Sequence, residues 1–279
     1  MTSVGRFYLY SNLHIGLCAL YFCMEYARLA GGQIDYSYFL FVGTSTVTLY
    51  LIHRYIGLAK VTAAKSIDSR YESISKVVPY YPFLGLLFGG LTIYFLLRVG
   101  LGIIPALLIP MVISVLYVIP FMRGGRRLRD ISYLKIFLIA LTWTWFSMWY
   151  LVGKLDASLL SLITLEHFIF MLGITLPFDI RDIAIDSKDG VSTIATHLGK
   201  PKTIKLARLL LAISYGLTLV ILYLIGSGTA AYIGYSTLIL GLLLMVNINY
   251  SYRRDVYLTG LLDGAILVKG LIGWLFIIY

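Results

Sequence analysis

The chain has 279 residues, 59% of them hydrophobic and 13% charged, with a mean hydropathy of +0.87. That composition excludes a water-soluble globular domain and describes a polytopic membrane protein. The formal net charge of +10 would suit a nucleic-acid binder, but the basic residues are placed along the chain in a way that assigns them to membrane topology instead.

Apolar stretches of about 20 residues, enough to cross a bilayer, are predicted at 7–27, 36–58, 80–98, 101–121, 132–152, 158–178, 203–226, 229–249 and 258–279. They predict an all-α, multi-pass bundle of about nine transmembrane helices, a single domain over 1–279. The first stretch is too long for a signal peptide and has no small-residue cleavage site, so it reads as a membrane helix. Cys18 and Cys23 lie within it, five residues apart. They read as packing residues with no disulfide or thiolate metal site implied.

Short and long connections alternate. All Lys and Arg residues except Arg28, Arg98, Lys154 and Lys269 fall at the N-terminus or in the long connections. By the positive-inside rule those connections and the N-terminus are expected in the cytoplasm, for an integral protein of the cell (inner) membrane. The same basic loops suit anionic lipid or diphosphate. Tyr8, Tyr10, Tyr36, Tyr38, Tyr80, Tyr81 and Tyr150 sit near predicted helix ends, as an interfacial aromatic belt requires. No internal repeat of fixed period and no low-complexity segment is visible. That lack of two related halves argues against a secondary transporter.

The densest chemistry follows the sixth stretch, Pro177-Phe178-Asp179-Ile180-Arg181-Asp182-Ile183-Ala184-Ile185-Asp186-Ser187-Lys188-Asp189-Gly190. Four of the thirteen acidic residues lie here. At 100° per residue Asp179, Asp182, Asp186 and Asp189 fall within an arc of about 80° on one helix face, with Arg181 roughly opposite. Such a face repels itself, and it lies at a helix end whose dipole already disfavours negative charge. A solvated acidic turn is the plain alternative, but in an apolar, membrane-like chain ionisable clusters point to function. Oxygen-only ligands select a hard cation such as Mg²⁺, which binds substrate phosphates through one or two carboxylates. Asp179, Asp182 and Asp186 are therefore the candidate metal ligands.

The run continues Val191-Ser192-Thr193-Ile194-Ala195-Thr196-His197-Leu198-Gly199. The pattern carried by Asp179, Asp182, Asp186, Lys188, Gly190, Thr193 and Gly199 resembles the second signature of the UbiA superfamily of intramembrane prenyltransferases. The resemblance implies a nine-helix bundle in which two aspartate clusters bind the diphosphate of a polyprenyl donor through Mg²⁺. Basic residues in the same loops assist departure of diphosphate, and an aromatic or other lipophilic acceptor takes the prenyl group. The place of the first signature is held by Leu49-Tyr50-Leu51-Ile52-His53-Arg54-Tyr55-Ile56-Gly57, without a carboxylate. Tyr50, His53 and Arg54 become candidate substrate-binding residues there, contacting diphosphate directly or, for His53 and Arg54, reaching only to the interface. Asp68 and Glu72 are alternative acids, with a solvated surface helix as the plainer reading.

The resemblance also places Tyr117 and Arg126, or its neighbour Arg127, near the reaction centre, with catalytic roles shared by Asp179, Asp182, Asp186 and Lys188. Arg181 and Asn12 are expected to touch substrate, Asn12 with His14 in an acceptor pocket. Trp143, Trp145 and Trp149 could line a prenyl tunnel, although at least two are expected to pack in the core or against lipid. Glu166 and His167 lie about 20 Å along the helix from the aspartates and are not expected to be catalytic. Asp263 and Lys269, six apart, are expected to pair with neighbouring helices. The partners implied are a polyprenyl diphosphate, a lipophilic acceptor and membrane lipid, with no nucleic acid. A member of the same fold that binds a prenyl diphosphate or quinone-like lipid without transferring it is the alternative, and the oligomeric state is unread.

Overall fold

The computed structural model describes residues 3–63, 74–188, 190–247 and 256–277. Asp68, Glu72, Asp189 and Asn249 lie outside the described residues. The described chain is helical: α1 Ser3–Tyr10, α2 Leu13–Met24, α3 Ser37–Ala63, α4 Tyr81–Val99, α5 Ile104–Val118, α6 Leu134–Trp149, α7 Ala157–Lys188, α8 Ile194–Leu224, α9 Thr229–Asn247 and α10 Asp263–Phe276, the last preceded by a π-helical turn at Tyr257–Leu262.

Each predicted stretch corresponds to one of these helices or, at the start, to the bent pair α1–α2. By length and apolarity six cross a membrane, or seven if the bent pair counts as one span. The difference from nine lies in α6, which has only 16 residues, and α3, whose Thr, Ser, His and Arg residues lower its hydropathy. The chain is a multi-pass integral membrane protein.

The bilayer-facing surface is visible on α4, α5 and α9. Leu86, Ile93, Leu97, Ile109, Leu240 and Leu244 are all exposed, in keeping with lipid as the solvent on those faces. The packed interior lies between α2, α3, α6, α7, α8 and α10. The most extensive pairing is α7 against α8, where Gly173 lets Leu211 approach closely. α10 lies directly on α2, and a Cβ at Gly270 would collide with the Tyr21 carbonyl. Small residues at such crossings are how membrane helices approach each other.

The half of the bundle away from the α7 aspartates holds a buried polar cluster. Lys269 Nζ of α10 lies 2.5 and 2.6 Å from the two carboxylate oxygens of Glu25 and 3.0 Å from Glu166 Oε2 of α7. The Tyr235 hydroxyl of α9 donates to Glu25 at 2.7 Å and the Ser214 hydroxyl of α8 to Glu166 at 2.5 Å. His167 sits between the carboxylates, Nδ1 3.0 Å from Glu166 and Nε2 3.4 Å from Glu25. Lys269 thus pairs with neighbouring helices, as its spacing predicts.

α1 ends where Asn12 adopts φ 67°, a left-handed conformation Asn tolerates better than most residues. The freed carbonyls of that end are taken up by side chains. Arg54 Nη1 donates to the Leu9 carbonyl at 3.2 Å and the Tyr81 hydroxyl to the Tyr10 carbonyl at 2.8 Å.

Candidate active site

The last turns of α7 present Asp179, Asp182 and Asp186 on one face, 2%, 8% and 8% exposed. α7 ends in a Schellman arrangement: Val191 N–H donates to the Asp186 carbonyl at 2.8 Å and Gly190 N–H to the Ser187 carbonyl at 3.3 Å. Gly190 holds φ 68°, the left-handed position that this cap requires and glycine supplies without strain. Thr193 then caps α8, its hydroxyl accepting from Thr196 N–H at 3.1 Å while its own N–H donates to Thr196 Oγ1 at 2.7 Å. Gly199, at φ 72°, bends the first turn of α8 away from the rest. Gly190, Thr193 and Gly199 are therefore devices for turning the chain behind the aspartates.

That turn is fastened to the start of α6. Tyr133 N–H donates to the Ser192 carbonyl at 2.7 Å, and Ser192 N–H to Ser132 Oγ at 3.2 Å. The fastening sets Lys135, on the first turn of α6, in the middle of the carboxylates. Its ammonium lies 2.8 Å from Asp179 Oδ1, 3.5 Å from Asp182 Oδ2 and 3.6 Å from Asp186 Oδ2. Lys135 is 5% exposed. Sequence reasoning counted it only as one more basic loop residue. The signal was there: it is the one charge inside an otherwise apolar stretch at 132–152.

Arg181 does not point away from the aspartates, as a helical wheel predicts. Its Nε lies 2.7 Å from Asp182 Oδ1 and Nη2 3.2 Å from Oδ2, with the guanidinium over the Phe178 ring. The long side chain folds back along the helix, which a wheel of Cα positions cannot show.

These residues line one end of a cavity of about 610 Å³, within the range of small-molecule sites. Tyr50, His53 and Arg54 of α3 line it, as do Tyr117, Arg127, Arg129, Arg181 and Asp263. Arg129 Nη1 lies 2.8 Å from His53 Nε2, and its guanidinium carbon stands 5.3 Å from the centre of the Tyr117 ring. The other end is apolar, walled by Ile15, Val42, Met111, Leu138, Trp143, Phe146 and Met171.

Five expected residues are placed elsewhere or in a different role. Arg126 is exposed and donates to the Asp130 carbonyl at 2.9 Å; the Gly124–Gly125 turn shifts the register so that Arg129 reaches the cavity. Lys188 is exposed at the end of α7 and does not line the cavity. Asn12 is fully buried at the α1–α2 break, and neither it nor His14 lines the cavity. Arg54 touches the cavity but spends a donor on the end of α1. Of the three tryptophans, Trp143 lines the cavity, Trp145 donates to the Ala106 carbonyl at 3.1 Å, and Trp149 packs against the core around Tyr26, Phe39 and Tyr235.

Among the described residues no group of three or more His, Cys, Asp or Glu is arranged as a ready metal site. The aspartates are drawn around an ammonium instead. Their chemistry nonetheless fits a hard cation. The donors are all carboxylate oxygens, and Asp179 Oδ1 and Asp186 Oδ2 are buried without a hydrogen bond, facing the Lys135 charge outside hydrogen-bond geometry.

No protein-family profile matches the chain, and no curated protein matches its sequence. Solved structures match its fold. A UbiA homologue from Aeropyrum pernix K1 superposes with a TM-score of 0.64 over 92% of this chain and 94% of its own, at 13% identity. A UbiA homologue from Archaeoglobus fulgidus, solved with GPP and Mg²⁺, gives 0.58 over 95% and 99%, at 16% identity. A structure described as digeranylgeranylglyceryl phosphate synthase gives 0.59 over 98% of both chains, at 13% identity. At these identities the likeness is one of architecture: the chain has the fold of the UbiA homologues.

Proposed function

We propose that the cavity binds a polyprenyl diphosphate with Mg²⁺ and that the protein transfers the prenyl group to an aromatic or other lipophilic acceptor. The observation that carries this reading is the charge arrangement at the mouth of an apolar cavity: three carboxylates on α7, with Lys135, Arg129 and Arg181 beside them. Neighbours of the same fold are solved with GPP or DMAPP and Mg²⁺. On this reading the whole of 1–279 works as one unit, with the aspartate end and the N-terminus on the cytoplasmic side.

Asp179, Asp182 and Asp186 would hold the ion. Bound Mg²⁺ supplies charge that neutralises the diphosphate and eases its departure. Lys135, Arg129 and Arg181 offer ammonium and guanidinium donors to phosphate oxygens in a site poor in water, where such contacts are strong. As the bond from the allylic carbon to diphosphate breaks, the positive charge left on the prenyl group faces the Tyr117 and Trp143 rings, which attract cations. The acceptor forms the new bond and releases a proton, and the apolar wall keeps water from taking its place.

A second reading is favoured by a specific observation. Lys135 already fills the carboxylate cluster, and α3 brings no carboxylate. A protein that holds a prenyl diphosphate without transferring it would look the same. Binding of geranylgeranyl diphosphate to the purified protein in detergent, with and without Mg²⁺, tests both. Binding that Mg²⁺ strengthens and Asp182→Asn weakens at least tenfold, with diphosphate released when acceptors are present, supports the enzyme. Binding without release under any acceptor supports the holding protein. No binding in either condition refutes both.

A further inference from the structure

We infer that this cavity takes its diphosphate with a single divalent ion, and that Arg129, seated on His53, binds the phosphate on the α3 side where a second ion would otherwise be needed. The inference rests on the reading of the cavity as a prenyl diphosphate site.

Among the described residues the cavity's carboxylates are Asp179, Asp182 and Asp186 of α7 and Asp263 of α10, while α3 between Ser37 and Ala63 carries no acid. On the α3 side the cavity presents an imidazole, a phenol and a guanidinium. Mg²⁺ asks for oxygen ligands in octahedral array and is poorly served by imidazole and neutral phenol. His53 is committed as well: Arg129 Nη1 lies 2.8 Å from its Nε2, so the lone pair a metal would use accepts a hydrogen bond from a cation.

Lys135 lies on Asp179 and Arg181 on Asp182, so two of the three α7 carboxylates already face a side-chain cation, and the cluster has little negative charge left to draw a second divalent ion. A guanidinium is suited to the vacated role, because its planar fork binds phosphate oxygens in pairs and it is weakly hydrated.

The test counts ions directly. The detergent-solubilised full chain is titrated with Mn²⁺, followed by electron paramagnetic resonance, in the presence of the uncleavable thiolo analogue of geranyl diphosphate. Binding of the analogue is measured separately. The expected result is one Mn²⁺ per chain. Arg129→Gln is expected to weaken analogue binding at least tenfold with the ion count still one, and Arg129→Lys to recover part of the loss; thermal unfolding midpoints check that both variants are folded. Two Mn²⁺ per chain, analogue binding with no Mn²⁺ retained, or an Arg129→Gln affinity within twofold of wild type overturns the inference while leaving a diphosphate site. Failure of the folded wild type to bind the analogue with or without metal overturns the site reading itself, and this inference with it.

Discussion

Replacing Lys269 with methionine is the sharpest test of how the half of the bundle away from the α7 aspartates is held together. The side chain is 2% exposed, and Glu25 and Glu166 are 1% and 0% exposed. Its ammonium is the only full positive charge within reach of both carboxylates among the described contacts, at 2.5 to 3.0 Å. Removing one partner of a buried ion pair costs about 3–5 kcal/mol, because the remaining charge is left uncompensated. The Tyr235 and Ser214 hydroxyls stay in place, so the loss should not exceed that range. At roughly 2–4 °C per kcal/mol for a chain of this order of size, the unfolding midpoint should fall by roughly 6–20 °C. Fluorescence-detected size exclusion after heating in detergent reads this directly. The triple variant Lys269→Met, Glu25→Gln, Glu166→Gln should recover at least half of the loss, since neutral amides can hydrogen-bond without a counter-ion. None of these residues lines the cavity, so affinity for a prenyl diphosphate measured well below the midpoint should not change. A midpoint within about 2 °C of wild type, or a triple variant no better than the single, would refute the reasoning.

Gly190→Ala forces a left-handed residue at the end of α7 and should cost about 1–2 kcal/mol, with Gly190→Asn costing less; thermal unfolding of the three proteins checks the order. Gly270→Ala places a methyl against the Tyr21 carbonyl and should lower the midpoint by the amount expected of overpacking, about 1–3 kcal/mol. The Asp130 carboxyl is pushed up by burial, but hydrogen bonds from the Arg127 side chain and backbone and the charges of Arg127 and Arg129 outweigh this and hold it below the usual carboxylate range. A lowered folded value means the clasp stabilises its loop above the ordinary aspartate range near about 4 and fails only as pH drops through the lowered value. Protection of the 123–130 segment from an acid-tolerant protease should therefore persist at pH 4.5 in wild type and be weaker at every pH in Asp130→Asn; loss of wild-type protection already at pH 5 would contradict the assignment.

Much of the architecture was legible because bilayer solvation imposes a strong rule: about 20 apolar residues per crossing. The nine predicted stretches fall on the observed helices for that reason. The break at Asn12 was not legible, since an apolar run shows no change of composition where a single residue turns left-handed. The α7 aspartates were legible from spacing alone, because i, i+3, i+7 fixes a helix face. What surrounds them was not. Arg126 and Lys188 were placed by the family resemblance, and the fold leaves them exposed because a Gly-Gly turn and a helix cap intervene.

The largest omission was Lys135, and its cause is instructive physically. A carboxylate face at a helix C-terminus demands a cation, and from spacing alone a metal ion is the natural answer. The fold answers it first with an ammonium carried in from α6, fastened by the Tyr133–Ser192 and Ser192–Ser132 hydrogen bonds. A cation already in place lets the chain fold without metal, where three bare carboxylates would resist burial. With Arg181 on Asp182, the same ammonium leaves little negative charge in the cluster for more than one incoming ion. On the inference above, Arg129 on His53 does the corresponding work on the α3 side, where the described residues carry no acid. If the cavity takes a prenyl diphosphate, the acid-free α3 and the lysine among the α7 carboxylates are two halves of one arrangement, in which side-chain charge stands where metal charge would otherwise be needed.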